Sequence, residues 1–128
     1  MSFTFDKDLV IEILRNISWS LDQITKRFQG IWKSEDFTET DLGLEKLDSI
    51  CMQLINIGEA LKHLDKLTEG TLLSRYGSVD WMGAKGMRDI ITHHYFDIDA
   101  EIVCGVCSEH IPQMKSVIGK IIEDLQKH

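Results

Sequence analysis

The run from Leu44 to Leu64, LEKLDSICMQLINIGEALKHL, decides the fold. Within it Leu44, Leu47, Cys51, Leu54, Gly58 and Leu61 recur at steps of three and four, and Ile50, Ile57 and Leu64 repeat every seven beside them. Such steps gather side chains on one side of an α-helix, whereas a strand would alternate by two. The combined face is too broad for one neighbour. This helix, predicted from about Thr38 to Asp41 until about Leu67, therefore touches more than one other helix. Gly58 costs such a helix about 1 kcal/mol relative to alanine, and the expected return is close approach by a neighbour.

Upstream, Val10, Leu14, Ile17, Leu21, Ile24 and Phe28 form one amphipathic stripe between Asp6 and Gln29. Asp6 or Asp8 can cap its start and Gly30 can end it. Ile31 to Thr40 is expected as a loop that tucks Trp32 and Phe37 against the other elements. Downstream, Gly70 and Gly77 punctuate a connection with one turn at Leu72 to Tyr76. Ser78 or Asp80 then caps a third helix with Trp81, Met87, Ile90 and Ile91 facing inward. Gly83 and Gly86 are expected where that helix packs closely, on its own bundle or across a dimer contact. A fourth helix, capped by Asp97 or Asp99, runs from Ala100 to about Gln126. Pro112 should kink or split it, because proline removes a donor and clashes with the carbonyl of Ser108. No segment alternates like a strand. The fold class is all-α, an antiparallel up-and-down four-helix bundle with a kinked or split last helix.

At 128 residues the chain has room for one domain, residues 1–128, with a real core. The apolar runs are short and interrupted by charge, and the start MSFTFDKD lacks a basic, apolar leader, so a cytoplasmic protein with no membrane partner is expected. Three cysteines without an export signal point to reduced thiols. Cys104 and Cys107 form a lone CxxC inside an apolar helical run, where buried structural cysteine is the commoner case than a redox pair. The net charge of −7 opposes generic nucleic-acid binding, DNA included, so any RNA contact must use a local positive site, with Arg75, Lys85 and Arg88 as candidates.

The chemically able side chains concentrate in WMGAKGMRDIITHHYFDID, residues 81–99. On a helix Arg88, Thr92 and Tyr95 fall in one line, and Asp89 and His93 in the next. An arginine that can clamp a phosphate thus lies beside an imidazole that Asp89 can orient. The set suits metal-free phosphodiester chemistry: histidine moves protons near neutral pH and arginine stabilises charge on phosphoryl oxygens. The plainer reading is a histidine capping helix carbonyls and a packed tyrosine. Glu59, next to Gly58, is either a solvated charge or an inward partner for Arg88. Glu59 and His63 lack the Glu-x-x-His spacing of carboxylate-bridged metal bundles, so no metal and no cofactor are expected.

Taken together, these residues resemble the HEPN family, in its small HepT-like branch, over nearly the whole chain. Arg88, four residues, His93, one residue, Tyr95 is similar to the branch's R-x4-H-x-Y motif. Ile57-Gly58-Glu59-Ala60 looks like its GEA turn, and Trp81, Gly86 and Met87 precede the arginine as they do there. Asp89 departs from the asparagine common at that position, and His94 stands where it can replace His93. The resemblance implies a HEPN-like fold and a homodimer with facing motif helices, acting as a metal-independent endoribonuclease. Arg88, His93, Asp89 and His94 would serve catalysis and Glu59 would support them. It further implies a toxin neutralised by a nucleotidyltransferase antitoxin that adenylylates Tyr95. The alternative is a non-catalytic helical subunit that binds a nucleotide or the nucleotidyltransferase.

Overall fold

The computed structural model describes residues 5–93 and 98–127. It is all-helical: α1 (Lys7–Phe28), a single turn α2 (Glu35–Thr38), α3 (Asp41–Thr68), α4 (Trp81–His93), α5 (Ala100–Gly105) and α6 (Ile111–Gln126). A one-turn 3-10 segment, Leu73–Arg75, interrupts the α3–α4 connection where the sequence places a turn. The caps follow the side chains available. Asp6 accepts from the Leu9 N–H, Thr40 from Gly43, Asp80 from Gly83 and Asp99 from Glu101 and Ile102. Each supplies an acceptor to N–H groups that the first turn leaves unpaired.

Helix α3 is the shared wall. It packs on α1 along one side and on α4 along the other, and α1 in turn packs on α6. Leu54, Ile57, Leu61 and Leu64 of α3 meet Leu14, Ile17, Leu21 and Ile24 of α1 in a core that also takes Ile118, Ile121 and Leu125 of α6. Helix α4 leans on α3 and stands off from the start of α6. The gap is an apolar cavity of about 170 Å³ between Ile57, Ala84, Met87, Val106 and Met114.

The last helical stretch is split as Pro112 requires. Between α5 and α6, Val106–His110 form a π turn, and the Ile111 N–H donates to the Val106 carbonyl, five residues back. With no N–H at Pro112 to hold the usual ladder, the chain admits one extra residue and restarts α6 with the proline in its first turn.

Several expectations are corrected. Trp32 does not tuck in; it is 90% exposed, because Asp36 accepts the Trp32 and Lys33 N–H groups and turns the indole outward, while Phe37 fills the slot against Phe28. Leu44 is exposed because the inward line of α3 begins at Gly43, whose hydrogens face the carbonyls of Asp36 and Phe37 on α2. Ile90 is exposed rather than inward, since α4 docks through Trp81 and Ile91 and a one-residue step turns Ile90 away. Gly86 has open space around it and Gly83 meets its own cap Asp80, so neither marks close packing within the bundle.

Candidate functional site at the α3 and α4 seam

The close approach that Gly58 allows lies at this seam. A Cβ on Gly58 would stand 2.9 Å from Arg88 Cβ and 3.4 Å from the Lys85 carbonyl oxygen. Bare α3 backbone thus faces the root of the Arg88 side chain, and the guanidinium reaches Glu59, the residue next to Gly58 on α3. Glu59 Oε1 is 2.5 Å from Arg88 Nε. The oxygen lies off the N–H axis, so the contact is an ion pair, and Nε has no aligned acceptor among the described residues. Glu59 thus pairs with Arg88, but its side chain stays more than half exposed rather than turned inward.

Asp89 does not turn to His93. Its Oδ1 accepts from Arg88 Nη1 at 2.9 Å and lies 3.6 Å from Lys62 Nζ. Beside Asp89 and Glu59 the Arg88 pKa rises above its ordinary value. Arg88, with Lys62, holds Asp89 below the usual carboxylate range. Both shifts follow from opposite charges favouring the charged forms. Lys62 is the residue that sequence reading missed. Its signal was its place three residues after Glu59, on the same side of α3. Lys85, named as a candidate cation, is closed by an ion pair with Asp65, whereas Arg75 is exposed, in the connection between α3 and α4.

His93 is the last described residue of α4 and is exposed, outside the ion-pair cluster. The Thr92 hydroxyl donates to the Arg88 carbonyl, which closes the backbone of that turn. His94, Tyr95 and the possible cap Asp97 lie outside the described residues. The structure thus brings Arg88, Glu59, Asp89 and Lys62 together and puts His93 one turn further along the same helix. Chemically the cluster offers one guanidinium, half-exposed and paired with two carboxylates, which an anion meets only by displacing one of them. The thiols offer no comparable chemistry. Burial pushes the Cys51 pKa up to about 11 and the Cys107 pKa up to about 12, and Cys104 is raised as well. The CxxC pair is therefore protonated at neutral pH, unlike an activated redox pair.

The model of the family described as HepT-like, ribonuclease HepT-like, matches residues 6–121, nearly the whole described bundle with its seam. The chain belongs to the ribonuclease HepT-like family. Relatives of this HepT-like chain include a Methanocaldococcus jannaschii protein named gamma-glutamylcyclotransferase and putative RNase. It is 32% identical over 97 residues, 74% of this chain and 42% of that protein. A second from the same organism, named putative RNase, is 34% identical over 70 residues, 55% of this chain and 54% of its own length. A protein of Caldanaerobacter subterraneus subsp. tengcongensis with that name is 28% identical over 110 residues, 86% of this chain and 91% of its own. The chain spans about half the length of the first two. No solved structure matches it. Among the described residues no helix is long and apolar enough to cross a membrane.

Proposed function

We propose that this HepT-like chain is the toxin of a toxin–antitoxin module, a single-domain, metal-independent endoribonuclease that works as a homodimer in the cytoplasm. Arg88 holds the scissile phosphate. His93, or His94 beside it, takes the proton from the ribose 2′-hydroxyl, whose oxygen attacks phosphorus and expels the 5′-oxygen. The imidazole of the second copy returns a proton to that leaving oxygen, and a 2′,3′-cyclic phosphate remains.

The observation that carries this reading is the anchoring of Arg88. Its stem packs against Gly58 and its guanidinium is paired with Glu59, which holds it at one place on the seam. The outward row of α4 supports the dimer. Met82 is 81% exposed, Ile90 is 53% exposed, and Gly86 between them leaves room for a second helix. Four-residue steps put the three in line, with His93 three residues further on. A second copy of α4 that crosses this row near its Ile90 end would bring two His93 side chains to one cleft. A nucleotidyltransferase antitoxin that adenylylates Tyr95 completes the proposal: an added AMP brings bulk and negative charge where RNA must enter.

Incubation of an oligoribonucleotide with the protein in EDTA, followed by analysis of the fragment ends, tests the reaction. Fragments ending in 2′,3′-cyclic phosphate are expected, and their absence across varied RNAs removes the enzyme. A second reading, a non-catalytic subunit that binds a nucleotide or the nucleotidyltransferase, is favoured by one observation: both carboxylates already sit on Arg88. Undiminished partner binding together with no cleavage selects it.

A further inference from the structure

The guanidinium of Arg88 presents two edges able to grip a phosphate with paired N–H groups, Nη1 with Nη2 and Nε with Nη2. The Nε and Nη2 edge is closed, because Nε is buried with Glu59 against it, and the Nη1 and Nη2 edge has Asp89 on Nη1. Asp89 Oδ1 is 2.9 Å from Nη1, and Glu59 Oε1 is 2.5 Å from Nε. The cluster of Arg88, Lys62, Glu59 and Asp89 carries no net charge, so it does not attract an anion as it stands. The two carboxylates differ in their alternatives. Glu59 lies over Nε beside the fixed stem of Arg88. Asp89 Oδ1 is within ion-pair reach of a second cation, with Lys62 Nζ 3.6 Å away, and the Asp89 and Lys62 side chains are both exposed.

We infer that Asp89 is an exchangeable plug on Arg88 and that Lys62 is the positioning residue that draws it off when a phosphodiester arrives. In the open arrangement Asp89 pairs with Lys62, and the Nη1 and Nη2 edge of Arg88 is free for two phosphoryl oxygens. Lys62 then acts through Asp89 and does not touch RNA. The inference rests on the reading of Arg88 as the phosphate-binding group.

A double-substitution cycle separates the possibilities, with a 2′-O-methyl oligoribonucleotide as a probe that binds and cannot be cut. Asp89→Asn keeps the shape and removes the charge, so binding tightens about two- to fivefold, the range expected of an exposed ion pair. Lys62→Met keeps the stem and removes the cation, so Asp89 stays on Arg88 and binding weakens by a similar factor. In the Asp89→Asn background Lys62→Met has no plug to release and changes affinity little. An equal loss in both backgrounds means that Lys62 meets the RNA directly, and it overturns the inference.

Rotation of the Arg88 Nη groups, read from nitrogen-15 spectra of the free protein, reports the plug without RNA. Slower rotation is expected in Lys62→Met and faster rotation in Asp89→Asn, and unchanged rotation in both sinks the plug. If rotation responds as expected while Arg88→Ala binds the probe like the parent, the plug stands and the reading of Arg88 as the RNA site falls.

Discussion

Replacing Gly58 with alanine adds one methyl group where α3 and α4 touch, and two opposed effects decide the outcome. Alanine is the better helix former, worth about 0.8–1.0 kcal/mol in a helix interior. Against that, the new Cβ would lie 2.9 Å from Arg88 Cβ, with the Lys85 and Ala84 carbonyl oxygens at 3.4 and 3.5 Å. Carbon atoms rest about 3.5–4.0 Å apart, so the contact is short by roughly 0.6 Å or more. The obstruction is the root of a side chain flanked by backbone, which cannot swing aside as the tip of a lysine can. Helix α4 must retreat as a body, and overpacking of this kind costs about 1–3 kcal/mol. The net expectation is a loss of about 1 kcal/mol, a fall of a few degrees in Tm for a chain of this size. Thermal unfolding followed by circular dichroism measures it. Gly119→Ala on the exposed face of α6, where a Cβ meets nothing within 4 Å, isolates the propensity effect and should raise Tm. If Gly58→Ala gains stability like Gly119→Ala, the seam is not close-packed and the anchoring of Arg88 loses its basis.

Glu69, at the C-terminal end of α3, holds φ of +53°, a left-handed conformation that glycine adopts without steric cost, so Glu69→Gly should add up to about 1 kcal/mol in chemical denaturation. Alkylation at pH 8 should modify Cys104 before Cys51 or Cys107, as peptide mass mapping would show; equal labelling rates contradict the raised thiol pKa values of the buried pair. Burial, and then the hydrogen bond to Asp124, pushes the Tyr76 pKa up to about 12, against about 10 in the unfolded chain. The folded state therefore keeps a proton that the unfolded state releases first. The stability this gives is complete below about pH 10 and is lost as pH rises through about 12, and Tyr76→Phe should flatten that part of the unfolding profile.

The bundle was legible because its stripes are long. Val10 to Phe28 and Leu47 to Leu64 repeat often enough that single exceptions do not blur the period, and Pro112 announces its own break. Helix α4 was less so. Its thirteen residues leave Ile90 and Ile91 equally able to face inward until the position of α3 is known, and a lone glycine such as Gly86 reads the same whether it is crowded or open. Trp32 misled because apolarity alone does not say where a loop turns; the carboxylate of Asp36, four residues on, decided it. At the seam, Gly58 and Glu59 were visible as neighbours of an expected helix contact. Lys62 was not, because the direction of a long exposed side chain depends on which carboxylate the facing helix brings within reach.

The claim on which the functional account stands is that Arg88 and His93 cut RNA. The most direct test is the cleavage rate of an oligoribonucleotide by Arg88→Ala and by His93→Ala, each first shown to unfold at the parent's temperature. The account predicts a loss of about a hundredfold or more for each, the usual scale for removing a general base or a charge that stabilises the transition state. Folded variants that both cut at the parent's rate would contradict it.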